Sequence, residues 1–214
     1  MYYEAKGVYS AKFPKLAGTY EKEISHYFER NNLENYDCFI DVGAAEGYYA
    51  IGVALSNPEI KIVTFESNMI NRIWLDHLSI RNNVSNKIKQ GEYCSSEVLI
   101  KEIKKWNNPF ILIDIEGGEY ELLESSKIEF FRNCSLLVEI HEFIYPNMAE
   151  VIRSRFESSH TVEEIVQRKR STMDLPLNLN RVQKFLFKKA SFEILNEKRP
   201  MTMKWIFLKP KHDL

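Results

Sequence analysis

The sequence predicts an α/β fold with a mostly parallel seven-stranded sheet that ends in an antiparallel hairpin. Short apolar runs of strand length alternate with segments of helical periodicity from residue 20 to about residue 156. Strands that alternate with helices form βαβ units, in which neighbouring strands run parallel and are joined by right-handed crossovers. Two further strand-like runs follow, separated by a long polar and basic stretch, which favours a hairpin with an insertion. The organisation is Rossmann-like.

The elements follow in order from apolar periodicity and from local start and stop signals. The predicted strands are Cys38–Val42, Ile60–Phe65, Lys87–Gln90, Phe110–Ile115, Ser135–Ile140, His160–Val166 and Met203–Leu208. The predicted helices are Tyr20–Asn32, Tyr48–Leu55, Met69–Ile80, Ser95–Trp106 and one that begins at Glu119. The fourth and fifth strands are almost wholly apolar, so we expect both faces of each to be buried in the middle of the sheet.

Composition and charge narrow the class of protein. The net charge of −1 lacks the basic excess that proteins use to hold a nucleic-acid backbone, so we expect no nucleic-acid partner. The N-terminus has no apolar core typical of a signal peptide, and the longest apolar runs are too short to cross a membrane. Three cysteines without an export signal indicate reduced thiols in the cytoplasm. The sequence does not indicate the oligomeric state.

The loop after the first strand is the strongest candidate for a cofactor site. It reads Asp-Val-Gly-Ala-Ala-Glu-Gly from Asp41 to Gly47, and its small residues allow a ligand to approach the backbone closely. A dinucleotide site favours a second glycine where Ala45 stands, and the carboxylates of Asp41 and Glu46 disfavour a pyrophosphate. The same carboxylates favour a sulfonium and an α-amino group, so the loop suits S-adenosylmethionine better than NAD.

The second strand ends at Glu66, where an acid can accept hydrogen bonds from both hydroxyls of a ribose. Asn68 and Glu92 also follow strand ends and are candidates for the adenine pocket, although each is equally typical of an ordinary loop. The predicted cofactor-binding residues are Asp41, Gly43, Ala44, Glu46, Gly47, Glu66, Asn68 and Glu92. We expect one domain over residues 1–214, with an N-terminal cap helix region at 1–36 and a cofactor-binding core at 37–142. An acceptor-side segment and the terminal hairpin occupy 143–214.

Acidic and imidazole side chains end the fourth and fifth strands. Residues two apart in a strand share a face, so Asp114 pairs with Glu116 and Glu139 with His141. Methyl transfer to an alcohol needs alignment and removal of the acceptor proton. Asp114, Glu139 and His141 are therefore candidate catalytic residues, and they also form a donor set that Mg²⁺ or Mn²⁺ accepts. The alternative is that the acids cap the following helix and that His141 is a satisfied buried histidine.

Four segments together resemble the FkbM-like methyltransferases. They are FIDVGAAEGYY from Phe39, VTFE from Val63, LIDIEGGEYELL from Leu112 and LVEIHE from Leu137, and the match covers residues 38 to 142. The resemblance implies a class I methyltransferase fold and O-methylation of a hydroxyl on a sugar, polyketide or similar metabolite. It also implies a role in polysaccharide or natural-product biosynthesis. Some related sugar and macrolide enzymes use a divalent metal.

A basic stretch after the fifth strand is the candidate acceptor-binding segment. Arg153, Arg155, Arg168, Lys169 and Arg170 lie there, and an insertion at this point would cover the cofactor as a lid. Arginine suits phosphate, so Arg170 is predicted to contact an anionic acceptor such as a phosphorylated sugar. The alternative is a solvated basic surface. Two other functions remain open: an NAD-dependent oxidoreductase, and a binding module of the same fold without catalytic activity.

Overall fold

One seven-stranded sheet organises the computed structural model, which describes residues 1–4, 11–171, 174, 195–197, 199 and 201–211. The strand order is β3-β2-β1-β4-β5-β7-β6. The strands are β1 (Cys38–Val42), β2 (Lys61–Phe65), β3 (Ile88–Gly91), β4 (Pro109–Ile113), β5 (Ser135–Ile140), β6 (His160–Val166) and β7 (Lys204–Pro210). The predicted mostly parallel sheet and its antiparallel hairpin are confirmed.

The strand order reverses between β1 and β4. The chain runs outward from β1 through β2 to β3, then returns so that β4 pairs with the other side of β1. Val42 aligns with Phe65 on one neighbour and with Ile113 on the other, so these three strands end at the same level. A reversal of strand order opens a crevice at the carboxyl ends of the strands. The cleft described below lies there.

The C-terminal strands complete the sheet at its β5 edge. β7 is antiparallel to both β5 and β6 and lies between them. Successive residues of a strand face opposite sides of the sheet, and the consecutive residues Trp205 and Ile206 are both fully buried, as is Leu208, so both faces of β7 are covered there. Most of the basic insertion between β6 and β7 lies outside the described residues.

Helices cover both faces of the parallel part. They are α1 (Lys12–Ala17), α2 (Arg30–Leu33), α3 (Tyr48–Ser56), α4 (Met69–Arg81), α5 (Ser96–Ile103), α6 (Glu119–Leu122) and α7 (Met148–Phe156). One face of the sheet packs Ile40, Ile113 and Val138 into one core cluster. The other packs Phe39 and Phe110 into a second cluster. Within the described residues, no helix is both long and apolar enough to span a bilayer.

The single helix predicted for Tyr20–Asn32 is wrong. A short 3₁₀ helix covers Ser25–Phe28, and the chain is extended at Glu29 (ψ 146°) before α2 begins. The apolar spacing of this segment predicts that Ile24, Tyr27 and Phe28 share one face, and in the structure Ile24 and Tyr27 are buried and Phe28 is partly buried against the core. The apolar spacing did not predict the backbone conformation, because the same side chains can be buried by a helix or by an irregular segment.

Candidate active site

An open cleft of about 1130 Å³ lies over the carboxyl ends of β1, β2 and β4. Loops after these strands form its floor, and α1 and residues 196, 197 and 199 of the C-terminal insertion form part of its wall. Nine carboxylate side chains and three cationic ones line it, counted over the part of the chain that the structure describes. The cations are Lys12, Lys15 and Arg199. The cleft is therefore acidic, although the chain as a whole is nearly neutral.

The glycines of the loop after β1 are required by packing. Gly43 has a φ of +92°, and a Cβ on it would lie 1.7 Å from the carbonyl oxygen of Asp114. Gly47 has a φ of +85°, and a Cβ there would lie 2.8 Å from the side chain of Leu75. Ala45 also has a positive φ, of 46°, a backbone conformation that residues other than glycine rarely adopt. The loop is thus held tightly against β4 and α4.

Asp41 is a buried carboxylate in the floor of the cleft. It is 2% exposed, and its Oδ2 atom has no hydrogen-bond partner among the described residues. Burial, together with the nearby charge of Asp114, raises the pKa of Asp41 to about 8. An incompletely bonded acid of this kind is a receptor for a cationic or hydrogen-bond-donating group of a ligand.

Glu66 joins the loops that follow β1 and β2. Its Oε2 accepts a hydrogen bond from the backbone N–H of Ala45 at 2.8 Å, and its Oε1 accepts one from Asn68 N at 2.7 Å. Asn68 uses its side-chain oxygen to cap α4, accepting from Ile70 N and Asn71 N. The helix therefore occupies the oxygen of Asn68, whereas the carboxylate of Glu66 keeps further lone pairs for a ligand.

Glu46 and Glu92 lie at different depths in the cleft. The carboxylate of Glu46 is buried and paired with the ammonium of Lys15 at 2.7 Å. Burial acts to raise the pKa of Glu46, but Lys15 outweighs it and holds the pKa below its usual value. The Lys15 ammonium also lies 4.8 Å from the ring centroid of Tyr20. Glu92 is 79% exposed and contacts Arg72 at 3.1 Å.

The structure brings the three predicted catalytic residues together. Asp114, Glu139 and His141 each offer one ligand atom, and these atoms lie within 4.8 Å of one another. Glu139 and His141 are each 1% exposed, whereas Asp114 is 29% exposed and lines the cleft. Asp114 Oδ1 and His141 Nε2 have no hydrogen-bond partner within the described chain. His141 Nε2 lies 3.6 Å from Asp114 Oδ1 and 3.5 Å from Glu116 Oε2.

The crowding of acids changes protonation in this cluster. Burial, with the charge of Asp114 beside it, raises the pKa of Glu139 well above its usual value. Burial alone would lower the pKa of His141, but the hydrogen bond to Glu119 outweighs it and raises that pKa. Glu139 is thus protonated more readily than an ordinary carboxylate, and His141 is protonated more readily than an ordinary imidazole.

Glu119 belongs to the site, although the sequence pattern placed it only at a helix start. Its side chain is fully buried, and its Oε1 lies 3.0 Å from His141 Nδ1. The signal that could have found it is its position five residues after Asp114, at the first residue of the short helix that follows β4.

Arg170 and Arg199, both in the basic insertion, have different surroundings. Arg170, predicted to contact the acceptor, is 7% exposed and paired with Glu23 and with Glu197, the latter at 2.6 Å. It does not line the cleft, because these carboxylates hold it in an internal ion-pair network. Arg199 does line the cleft: its Nη1 lies 3.1 Å from Glu139 Oε1, and it also pairs with Glu21. No signal in the sequence distinguished Arg199 from the other basic residues.

No family model matches this chain, and no curated protein matches it. Solved structures do. It is similar to a precorrin-6y C5,15-methyltransferase from Geobacter metallireducens, with 12% identity and a TM-score of 0.53 over 81% of this chain and 80% of that one. It is similar to an O-methyltransferase from Bacillus cereus in complex with SAH, with 11% identity and a TM-score of 0.52 over 88% and 79%.

A third similar structure is the O-methyltransferase TomG from Streptomyces achromogenes in complex with SAM, with 11% identity and a TM-score of 0.53 over 87% of this chain and 78% of that one. The chain therefore has the Rossmann-like fold of class I S-adenosylmethionine-dependent methyltransferases. At these identities the likeness establishes the fold alone. The FkbM-like resemblance is not confirmed and stays a prediction.

Proposed function

We propose that the chain is an S-adenosylmethionine-dependent O-methyltransferase. The observation that carries the proposal is that Asp41 and Asp114 face one cleft at the reversal of strand order. Asp41 offers a buried, unpartnered carboxylate oxygen to a cationic group. Asp114 lies beside Glu139 and His141, and these three side chains are suited to removing a proton from an acceptor hydroxyl. A methyl donor held by Asp41 and an acceptor held at Asp114 would lie side by side in the cleft.

The residues present fit S-adenosylmethionine. Asp41 and Glu46 would hold the positively charged methionine end, with Gly43, Ala44 and Gly47 forming the close wall of the loop. Glu66 would hold the ribose, and Asn68 and Glu92 would lie at the adenine end. The acidic lining is the physical reason for preferring this cofactor to NAD, because carboxylates repel a pyrophosphate and attract a sulfonium.

The bound cofactor supplies an electrophilic methyl group, so the chain itself must orient the acceptor hydroxyl and remove its proton. We assign that work to Asp114, Glu139 and His141. These three side chains also fit a Mg²⁺ or Mn²⁺ ion, because His141 Nε2 and Asp114 Oδ1 are buried, unpartnered and close together. Such an ion would lower the pKa of an acceptor hydroxyl. The Nδ1 contact of His141 with a carboxylate is the usual support for a metal-ligating imidazole.

The acceptor that we propose is an uncharged hydroxyl of a sugar-like molecule in polysaccharide or natural-product biosynthesis. The acidic lining disfavours the anionic acceptor that the arginine cluster suggested, and Arg170 is already neutralised by two carboxylates. The similar O-methyltransferase structures support the reaction type only. A cytoplasmic location remains part of this proposal.

Calorimetric titration with S-adenosylmethionine and with NAD tests the cofactor. We expect binding of the first alone, and Glu66→Ala should weaken it by about 1–3 kcal/mol, the cost of losing a charged hydrogen-bond partner. Asp37→Ala is the matched control, since Asp37 also accepts two backbone N–H groups, from Asn107 and Asn108, but outside the cleft. Tighter binding of NAD, or an unchanged affinity in Glu66→Ala, would contradict the proposal. Binding without turnover of any hydroxyl acceptor would favour the inactive binding module.

A further inference from the structure

Glu119 is a buried carboxylate without a cationic side chain beside it in the described structure. It is fully buried, and its three partners are two backbone N–H groups and one imidazole nitrogen. Oε1 accepts from Ile115 N at 2.9 Å and Oε2 accepts from Gly117 N at 2.9 Å. Oε1 also lies 3.0 Å from His141 Nδ1. A carboxylate oxygen can only accept, so the contact with His141 requires a proton on Nδ1.

The same contacts shape the loop that carries Asp114. Glu116 has a φ of 52° and Gly117 a φ of 103°, so two successive residues are in the left-handed region. The two N–H groups bonded by Glu119 flank Glu116, which therefore stays turned toward His141 Nε2 at 3.5 Å. Glu119 thus connects the end of β4 with the end of β5.

From this geometry we propose that Glu119 is a positioning residue, which holds the His141 ring with its proton on Nδ1 and its Nε2 lone pair facing Asp114. The proposal rests on the proposed function, in which Nε2 acts at the acceptor side of the cleft. A neutral imidazole protonated on Nε2 would have no lone pair there, for either a metal ion or an acceptor proton. The role of Glu119 is to decide which nitrogen is available.

The chain provides an internal comparison in His160. This histidine is also buried, but its Nε2 lies 3.1 Å from the carbonyl oxygen of Cys134, and its Nδ1 lies 2.8 Å from Ser159 Oγ. A carbonyl oxygen only accepts, so His160 carries its proton on Nε2. The two buried histidines are therefore expected to be opposite tautomers.

Long-range ¹H–¹⁵N NMR of the imidazole rings tests the proposal in protein stripped of metal ions. Only five histidines contribute signals, and His141→Gln identifies the signal in question. At about pH 9, where an ordinary imidazole is neutral, we expect Nδ1–H for His141 and Nε2–H for His160. An Nε2–H form of His141 in the wild type would overturn the proposal, and this measurement needs no variant at position 119.

The variant Glu119→Gln then distinguishes two roles of Glu119: positioning the His141 ring, and bonding the backbone of the loop after β4. A glutamine has one acceptor oxygen instead of two, so its N–H₂ group faces either Gly117 N or both Ile115 N and His141 Nδ1. In both orientations the contact with Nδ1 loses the charge of the carboxylate, and a neutral acceptor forms a weaker hydrogen bond. We therefore expect a weaker preference of His141 for Nδ1–H, with His160 unchanged. Asp37→Asn is the matched control, because it alters a carboxylate that caps two backbone N–H groups beside the opposite end of β4. A His141 tautomer unchanged in Glu119→Gln would reduce Glu119 to a loop cap.

Titration of the metal-free protein with Mn²⁺ alone, measured by electron paramagnetic resonance, tests whether Glu119 affects metal binding at His141. Glu119→Gln should weaken Mn²⁺ binding about 10- to 100-fold, as expected for loss of a carboxylate behind a metal-ligating histidine, and Asp37→Asn should not. Unchanged Mn²⁺ affinity with a changed tautomer would also overturn the positioning role. If the wild type lacks methyl transfer but shows the two opposite tautomers, the proposed function fails and this inference stands.

Discussion

At the scale of single residues, a metal ion bound as we propose would compete with protons for the same carboxylate and imidazole atoms. Glu139 holds a proton at pH values where an ordinary carboxylate is charged, because it is buried beside Asp114. A divalent ion in this cluster must displace that proton, so its binding should strengthen as pH rises. Arg199 also contacts Glu139 and balances part of the negative charge in the absence of an ion.

We expect Asp114→Asn to abolish Mn²⁺ binding, because one of the three clustered ligand atoms loses its charge. Glu92→Gln is the matched control, since Glu92 also lines the cleft, is 79% exposed and is outside the group of three. Electron paramagnetic resonance measures the binding, and treatment with EDTA should abolish turnover until a divalent ion is restored. Full activity after chelation would instead leave His141 as a general base that acts without a metal.

At the scale of elements, helix starts were well predicted because a cap is a local signal. The sequence predicted a helix that begins at Ser95, and in the structure Ser95 is the N-cap of α5, with its Oγ accepting from Val98 N at 3.3 Å. The predicted helix at Tyr20–Asn32 had buried positions in helical spacing but no such stop signal at Glu29. Local hydrogen-bond chemistry therefore identified boundaries better than apolar spacing did.

Ser95→Ala should destabilise the fold by about 1 kcal/mol, the typical cost of removing an N-cap side chain. The reason is that one backbone N–H of the first turn of α5 loses its acceptor. Chemical denaturation measures the change in free energy of unfolding, with Ser85→Ala as a control because Ser85 is exposed and does not cap a helix. An equal effect in both variants would show that the cap contributes nothing beyond the loss of a hydroxyl.

At the scale of the whole molecule, buried ionisable groups determine how stability depends on pH. Burial lowers the pKa of His160 below its ordinary value of 6.5. The unfolded chain therefore binds a proton more readily than the folded one, and stability falls as pH falls below this value. Asp41 and Glu139 act in the opposite sense, since their raised pKa values favour the folded state at lower pH.

His160→Gln should make the free energy of unfolding less sensitive to acid between about pH 7 and pH 5, around the ordinary imidazole pKa. Comparison with the wild type isolates His160, because the buried carboxylates are common to both proteins. His77→Gln is the control, since His77 is exposed. Parallel pH profiles for the wild type and His160→Gln would show that the folded protein accommodates the charged ring without cost.

Apart from the helix at Tyr20–Asn32, the sequence by itself determined the order of strands and helices along the chain. It also determined the glycine-containing loop after β1 and the placement of Asp114, Glu139 and His141 at two strand ends. These follow from short-range rules: apolar periodicity, helix caps, turn glycines and the two-residue repeat of a strand. Parallel strands side by side then bring their ends together, so the cluster of three could be predicted without coordinates.

Only the tertiary structure decided which charged residues act on that cluster. Glu119 contacts His141 and Arg199 contacts Glu139, pairs that are 22 and 60 residues apart in the chain. Arg170 and Arg199 are indistinguishable in the sequence, because both are arginines of the basic insertion. In the structure Arg170 is enclosed by carboxylates, whereas Arg199 lines the cleft. The physical reason is that a charge interacts through space over a few ångströms, and separation along the sequence does not determine that distance.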